Sequence, residues 1–205
     1  MGKSNLYNKL FAKLYDSFMY NFEKGLYKHR KELIAPLKGK ILEIGSGTGI
    51  NFAHYHKEAK VTALEPSEAM VKVSRLKNCN CKDINYVNIG ITDENLYMTL
   101  KAESFDYIIS TLVLCTIQNP DKAIQTYYKL LKPNGKLIVL EHLHSTRKTD
   151  KVLQNIANPM WKAFSEGCNL NRNTDLLLLK GGFKPISKTY FVKTLRWIKG
   201  IYIKN

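Results

Sequence analysis

The chain has 205 residues, a mass of 23.6 kDa and a net charge of +15, with 44% apolar and 24% charged residues. This size and balance predict one globular domain with a sizeable core, and they exclude wholesale disorder, a collagen-like repeat and a disulfide scaffold. The sequence shows neither an apolar run long enough to span a bilayer nor a secretory leader, so we expect a cytoplasmic protein. Its four cysteines are expected to be reduced and to hold no metal, because Cys79-x-Cys81 has no second Cys/His pair at zinc spacing.

The positive charge lies towards the two ends of the chain. Residues 1–40 carry a net charge of +6 and residues 146–205 a net charge of +9, whereas residues 41–145 are neutral. This distribution fits a solvated surface, or an anionic partner such as an acidic substrate or an anionic membrane contacted peripherally. No DNA- or RNA-binding signature accompanies the charge, so nucleic acid is not an expected partner.

Residues 4–34 are predicted to form a helix, because aromatic side chains recur at three- and four-residue spacing among lysines and arginines. The aromatic positions are Tyr7, Phe11, Tyr15, Phe18 and Phe22. A basic amphipathic helix of this kind can pack on the core or lie on a membrane surface. We expect residues 1–38 to be a helical extension or cap and residues 39–205 to be the main domain.

From residue 39 onward, short apolar strands alternate with helices, which indicates a parallel sheet covered on both faces. The predicted strands are Lys40–Ile44, Lys60–Leu64, Ile84–Ile89, Phe105–Leu112 and Lys136–Glu141. The predicted helices between them are Glu68–Leu76, capped by Ser67, and Asp121–Leu131, ended by Pro133-Asn134-Gly135.

The tail departs from this alternation. After helices near Thr149–Phe164 and Asn173–Leu179, the β-rich runs Phe183–Phe191 and Leu195–Ile203 follow each other too closely for a crossover helix. They should therefore pair as an antiparallel hairpin. The whole pattern predicts an α/β fold with a doubly wound, mostly parallel sheet that finishes in a C-terminal antiparallel hairpin.

A glycine-rich loop, Glu43-Ile-Gly45-Ser-Gly47-Thr-Gly49, follows the first strand. Glycines there let the backbone approach a ligand closely, and a following helix would offer free N–H groups to an anion. Glu65 ends the second strand, 20 residues after Gly45, where a carboxylate can bind both hydroxyls of a ribose. Dinucleotide binders need a third glycine at position 50, which is Ile50, so a dehydrogenase is disfavoured.

This loop resembles motif I of the class I S-adenosylmethionine-dependent methyltransferases, and Phe105–Leu114 and Leu131–Leu137 resemble their motifs around strands four and five. The resemblance implies a Rossmann-like sheet of seven strands whose last strand is antiparallel. Within the class, the chain is most similar to the small thiol S-methyltransferases of the methyltransferase-like group. The similar segments are Glu43–Phe52, Thr111–Cys115, Glu141-His142, Asn158-Pro-x-Trp161 and Gly167-Cys-Asn-Leu-x-Arg172.

The resemblance implies S-adenosyl-L-methionine as cofactor and S-adenosyl-L-homocysteine as product. Glycines 45, 47 and 49 would cradle the amino-acid end, Glu43 would brace the loop, and Glu65 would bind the ribose. Met70 would pack on the adenine unless it is a core residue, and Asp93, hard to separate from Glu94, would take the adenine amino group. The expected cofactor-binding residues are Glu43, Gly45, Gly47, Gly49, Glu65, Pro66, Met70, Asp93, Thr111 and Leu112.

Methyl transfer is an in-line displacement in which the protein supplies alignment. Thr111 and Leu112 should line the transfer site, since ligands sit at the carboxyl ends of strands. A thiol acceptor reacts as its thiolate, and His142 is the expected catalytic base unless its role is structural. Trp161 and Cys168 would belong to the cover of the acceptor site, and the chemistry needs no covalent cysteine.

The sequence thus predicts a methyltransferase acting on a small-molecule acceptor, with thiol S-methylation as the leading hypothesis. The second hypothesis is N-methylation of a lipid headgroup or O-methylation of a quinone-type lipid at a membrane surface. The third is a non-catalytic module that binds a membrane or RNA. The intact glycine loop and Glu65 argue against the third.

Overall fold

The structure is a computed structural model that describes residues 5–204, with side chains described from residue 9 onward. The chain divides into two compact units, the first ending at Asp93 and the second beginning at Glu94. The seven strands form a mixed sheet, mostly parallel, which confirms the predicted fold class. Ser4 and the side chain of Tyr7, both part of the predicted first helix, lie outside the described residues.

The first unit carries three parallel strands in the order β3-β2-β1. These are β1 (Gly39–Ile44), β2 (Ala59–Leu64) and β3 (Asp83–Val87), with helix α2 (Glu68–Ser74) between the last two. The core of this unit is mainly aliphatic, and Ile41 and Leu42 of β1 are fully buried. The Ser67 side chain accepts a hydrogen bond from the Met70 N–H, which confirms Ser67 as the cap of α2.

Helix α1 (Asn5–Ile34) belongs to the first unit and packs on α2. Its buried residues are Ala12, Leu26, Leu33 and Ile34 near one side, together with the charged Arg30. The predicted aromatic stripe is not its buried face: Phe18 is 55% exposed, and Phe11 and Tyr15 are half-buried. Small and branched aliphatic residues fit the close approach of two packed helices better than these rings do. No helix in the described part of the chain is long and apolar enough to cross a membrane.

The second unit carries four strands in the order β4-β5-β7-β6. Strands β4 (Phe105–Thr111) and β5 (Leu131–Leu143) are parallel, whereas β7 (Arg196–Lys204) is antiparallel to both β5 and β6 (Phe183–Val192). The predicted C-terminal hairpin is therefore confirmed. The helices of this unit are α3 (Leu96–Thr99), α4 (Pro120–Leu130), α5 (Lys148–Phe164) and α6 (Thr174–Lys180).

Three local predictions are wrong. No α-helix begins at the glycine loop, because its glycines have positive φ angles that lie outside the α-helical range. Only a short 3₁₀ turn, Phe52–His54, follows the loop. Strand β5 begins before Pro133-Asn134-Gly135, and these residues form a bulge where the register shifts from Phe105↔Leu131 to Tyr107↔Lys136. Finally, Cys79 and Cys81 form a disulfide, while Cys115 and Cys168 are free.

Candidate active site

The glycine loop that follows β1 takes a conformation that only glycine adopts easily. Gly45, Gly47 and Gly49 have φ angles of 59°, 55° and 80°. A side chain at Gly49 would also collide with the Phe52 ring, which lies 2.7 Å from the position of a Cβ. At Gly47 the nearest atom to such a Cβ is 4.0 Å away, so this side of the loop faces open space. The loop can therefore admit a ligand close to its backbone.

The predicted acidic partner of this loop, Glu65, lies directly against it. One carboxylate oxygen, Oε2, accepts the Gly47 N–H at 2.9 Å, and Oε1 accepts the Ser67 N–H at 2.9 Å. The residue is 7% exposed, and burial raises the pKa of its carboxyl while the two N–H donors oppose that shift. Glu65 therefore fixes the shape of the loop. Whether it also binds a ribose remains a prediction.

Glu43 is fully enclosed at the end of β1, and its two carboxylate oxygens have different partners. Asn51 Nδ2 donates to Oε1 at 2.8 Å and the Tyr55 hydroxyl donates to Oε2 at 2.7 Å. Burial raises the pKa of Glu43 to about 7, against these two hydrogen bonds. Both donors lie in the segment that follows the glycines, so Glu43 holds the two ends of the loop together. This arrangement supports the predicted bracing role.

Helix α1 contacts this loop through two polar connections. The first runs through Arg30, which is 3% exposed and donates to Asn51 Oδ1 at 2.9 Å and to both carboxylate oxygens of Glu23. The second runs through Asp16, which accepts a hydrogen bond from the Thr48 hydroxyl at 2.6 Å and forms an ion pair with Lys77 at 2.5 Å. The helix is therefore tied to the loop by charged and hydrogen-bonded groups, and not by its aromatic residues.

The other cofactor-binding residues predicted in the first unit follow β2 and β3. Pro66 is exposed, Met70 is half-buried in the first turn of α2, and Asp93 is exposed on a turn beyond β3. Asn88 donates to the Glu65 carbonyl at 2.6 Å, which joins the end of β3 to the end of β2. The structure thus brings Glu43, Gly45, Gly47, Gly49 and Glu65 together around the loop.

In the second unit, Thr111 and Leu112 mark the carboxyl end of β4. Leu112 has a φ of 58°, a conformation that is unfavourable for a bulky side chain. Its N–H donates to the Leu140 carbonyl of β5, and the next two N–H groups, of Val113 and Leu114, donate to Glu141 Oε1 at 3.0 and 2.9 Å. Such backbone strain is typical of ligand sites, and here the neighbouring strand holds it in place.

Glu141 is fully buried beside this turn. Burial raises the pKa of Glu141 to about 7, while the two backbone N–H groups oppose the shift. Its second carboxylate oxygen, Oε2, has no hydrogen-bond partner among residues 5–204. Burying an unpaired carboxylate oxygen lowers the stability of a folded protein, so such oxygens usually have a partner.

His142 and the two free cysteines form one cluster in the second unit. The His142 Nε2 atom lies 3.1 Å from the Cys168 Sγ atom, and one donor atom from each of Cys115, His142 and Cys168 lies within 4.8 Å of the others. A hydrogen bond from Cys115 lowers the pKa of the Cys168 thiol, and the same bond raises the pKa of Cys115. His142 and Cys115 are buried, whereas Cys168 is partly exposed.

Comparison with known proteins agrees with this arrangement. Residues 42–139, a little under half of the chain, match the model of a methyltransferase domain. The rat thiol S-methyltransferase TMT1B is 29% identical over 184 residues, which are 85% of this chain and 75% of that protein. The human thiol S-methyltransferase TMT1A is 25% identical over 190 residues, 91% of this chain and 78% of that protein.

The chain is an S-adenosylmethionine-dependent methyltransferase. Its fold is that of the class: the S-adenosylmethionine-dependent methyltransferase from Mesorhizobium loti superposes with a TM-score of 0.63 at 15% identity, over 87% of this chain and 97% of that one. Family and fold therefore imply S-adenosylmethionine as the cofactor of this methyltransferase, as its glycine loop predicts.

Two features of the loop fit that cofactor. The Ser46 hydroxyl is buried and has no hydrogen-bond partner within the described residues, although it lies between two glycines of the loop. The open face at Gly47 leaves room for a ligand where any other residue would place a side chain. A polar amino-acid group bound at this face would supply the partner that the hydroxyl lacks.

Several residues that shape the methyltransferase site were not predicted. Asn51, Tyr55 and Arg30 form the support of Glu43, but nothing in their spacing marks them, because Arg30 comes from α1 whereas Asn51 and Tyr55 flank the 3₁₀ turn. Cys115 could have been found. It follows β4 while His142 lies near the end of β5, and the carboxyl ends of neighbouring parallel strands meet at one edge of a sheet.

Proposed function

We propose that this methyltransferase transfers the methyl group of S-adenosylmethionine to the sulfur of a small thiol. The observation that supports the acceptor class is the similarity to thiol S-methyltransferases, which extends over most of the chain and includes the segments that carry Cys115, His142 and Cys168. When bound, the cofactor supplies a methyl group already activated by its sulfonium. The protein then has to hold the acceptor in line and as a thiolate.

In this proposal the first unit binds the cofactor. The backbone around Gly47 contacts its amino-acid end, and Glu65 accepts hydrogen bonds from the ribose hydroxyls on lone pairs that Gly47 and Ser67 leave free. A carboxylate oxygen can accept more than one hydrogen bond, so the two roles of Glu65 are compatible. Glu43 acts from behind the loop and does not touch the ligand.

The second unit acts on the acceptor. Leu112, held at a positive φ, and Thr111 form the surface against which the acceptor is aligned. His142 is proposed to promote deprotonation of the thiol, and its ring already lies against a sulfur atom, that of Cys168. A sulfur-containing surrounding suits a thiol acceptor better than an amine or a phenol, because soft sulfur atoms are readily accommodated next to one another.

The test is an activity screen with isotopically labelled S-adenosylmethionine. Small aliphatic and aromatic thiols should be methylated, whereas matched amines and alcohols of the same carbon skeleton should not. If phenolic lipids or amine headgroups are methylated and thiols are not, the proposal is wrong and the lipid hypothesis replaces it.

The second arm of the test is the variant His142→Ala. Its turnover should fall by about 10²–10⁴-fold while the affinity for S-adenosylmethionine stays near that of the wild type, since the glycine loop is untouched. His56→Ala, which removes a histidine of the first unit that is paired with Glu58, serves as the control and should retain full turnover. Equal turnover of the two variants would return His142 to a structural role.

A further inference from the structure

The cluster of Cys115, His142 and Cys168 has a geometry that suits a metal ion. Their three donor atoms lie within 4.8 Å of one another, and His142 Nε2 is 3.1 Å from Cys168 Sγ. Zinc bonds of about 2.3 Å to sulfur and about 2.0–2.1 Å to nitrogen place tetrahedral ligand atoms roughly 3.5–3.8 Å apart. Small side-chain movements would therefore bring all three donors onto one ion.

The backbone already holds these donors in place from three separate segments. His142 lies in β5, while Cys115 and Cys168 lie in loops that are joined to each other: the Asn169 N–H and its side-chain amide both donate to the Cys115 carbonyl at 2.9 Å. The Arg172 guanidinium donates to the carbonyls of Leu114 and Ile117, on either side of Cys115. A site with its ligands positioned in this way needs little rearrangement to bind an ion.

A second observation supports a cation-binding role for this cluster. Glu141 is fully buried next to His142, interacts electrostatically with Cys115 and Cys168, and keeps one carboxylate oxygen without a hydrogen-bond partner in the described part of the chain. A bound cation removes the protons of the thiols that coordinate it, so two sulfur ligands and a carboxylate would surround it in a region with little water. Buried anionic groups in proteins are paired or coordinate metals.

We propose that Cys115, His142 and Cys168 bind a Zn²⁺ ion whose fourth position is open. The donor set of two sulfurs and one imidazole selects a borderline-soft ion, and three protein ligands with one open position is the arrangement of catalytic zinc sites. The open position takes the acceptor sulfur, and this part rests on the proposed function. The thiol loses its proton to solvent as its sulfur binds the ion, because a coordinating thiol is deprotonated, and the thiolate is then the nucleophile. His142 is in this case a metal ligand and not the base.

The test begins with the wild-type protein, purified reduced and without chelator. Elemental analysis should find close to one zinc per chain, and replacement by Co²⁺ should give the thiolate-to-metal charge-transfer band and the strong visible bands of a tetrahedral ion. Reduced wild-type protein that binds neither ion at micromolar concentration overturns the proposal, whatever its variants do.

The variants then assign the ligands. Cys115→Ser, His142→Gln and Cys168→Ser should each lose the zinc and the Co²⁺ spectrum, while the matched control Cys79→Ser/Cys81→Ser retains both, because that pair lies in the first unit. Retention of zinc by all three single variants places the metal elsewhere and overturns the assignment. Circular dichroism and S-adenosylmethionine affinity check that each variant is folded.

The role of the fourth position is tested separately. Adding mercaptoethanol should shift the visible bands of the Co²⁺ protein if the thiol sulfur enters the coordination sphere. Zinc binding without methylation of any thiol would refute the proposed function and leave the metal site standing. Thiol methylation at the wild-type rate by the metal-free protein would leave the proposed function standing and refute the role of the ion in binding the acceptor sulfur.

Discussion

Glu65 shows how a single carboxylate can serve both a loop and a ligand. Its two oxygens accept the N–H groups of Gly47 and Ser67, one in the glycine loop and one before α2. Removing the side chain therefore frees the loop and removes the proposed acceptors for the ribose hydroxyls. Both effects weaken the binding of cofactor, and neither requires a change in the core.

We predict that Glu65→Ala weakens S-adenosylmethionine binding by about 1–3 kcal/mol, measured by calorimetry, because charge-assisted hydrogen bonds are lost. Glu68→Ala, three residues further on, removes an exposed carboxylate that forms an ion pair with Lys72 in α2 and should bind the cofactor normally. Unchanged affinity in Glu65→Ala would remove this residue from the site.

Glu43 gives a pH dependence whose direction is set by its burial. Its pKa is raised to about 7, above the usual 4.5, so the ionised carboxyl is disfavoured in the folded protein. In the unfolded chain the Glu43 carboxyl ionises near pH 4.5, whereas in the folded protein it ionises only near pH 7. The contribution of Glu43 to the free energy of unfolding is therefore greatest below about pH 4.5, falls as the pH rises to about 7, and is then constant.

Glu43→Gln should reduce that fall, by an amount on the order of a few kcal/mol, since Gln cannot ionise and can still accept the hydrogen bond of Asn51. Urea unfolding of the wild type and the variant at about pH 5 and about pH 8 measures the difference. Two proteins that lose the same free energy of unfolding over this interval would show that Glu43 does not cause the dependence.

At the scale of elements, α1 is attached to the cofactor loop by a buried chain of hydrogen bonds. Arg30 lies in the middle of this chain, between Glu23 of the same helix and Asn51 of the loop. The side chains of Arg30 and Glu23 are 4% and 12% exposed, so their ion pair is mostly shielded from water. Removal of one partner leaves the other charge buried, which is far more costly than the loss of a surface pair.

Arg30→Met should therefore lower the free energy of unfolding by about 3–5 kcal/mol. The control is Lys28→Met in the same helix, where an 85% exposed side chain is paired loosely with Glu32 at 4.0 Å. That variant should change the free energy of unfolding by less than about 0.5 kcal/mol. Denaturant unfolding measures the free energy of unfolding of both variants. Similar decreases in the two variants would show that the buried hydrogen bonds of Arg30 contribute little to stability.

The elements themselves were largely predictable, because alternating apolar runs and caps are local signals. Ser67 marks the start of α2, and the close spacing of the last two runs indicates the hairpin β6–β7. The bulge at Pro133-Asn134-Gly135 was not predictable, since it depends on the register with β4. The same holds for the site: glycine spacing identifies the loop, whereas Arg30 and Asn51 meet only through the fold.

The charge of the molecule as a whole divides into a neutral middle and two basic ends. In α1 the lysines at positions 9, 13, 24 and 28 are exposed, and so are apolar side chains such as Leu10 and Leu14, which are 56% and 55% exposed. A surface that is both basic and apolar can associate with anionic lipid. The alternative is a basic surface that is only solvated, and vesicle binding distinguishes the two.

We predict that the wild type binds vesicles containing anionic phospholipid at low salt, and that added salt weakens this binding by shortening the Debye length. The variant with Lys9, Lys13, Lys24 and Lys28 all changed to Glu should bind less, while its affinity for S-adenosylmethionine is unchanged. Co-sedimentation with anionic and with neutral vesicles measures the difference. If the wild type does not bind anionic vesicles at low salt, the basic residues form only a solvated surface.

The double attachment of α1, through Arg30 and through Asp16, has a consequence for the motion of the chain. Opening of the helix must break contacts to the same loop that the cofactor is proposed to occupy, so a ligand that orders the loop also slows that opening. Amide hydrogens of α1 around Arg30 should therefore exchange with deuterium more slowly when S-adenosylmethionine is bound. The exchange rates of a helix that contacts no reacting atom would then measure, over minutes to hours, how strongly the cofactor orders the glycine loop.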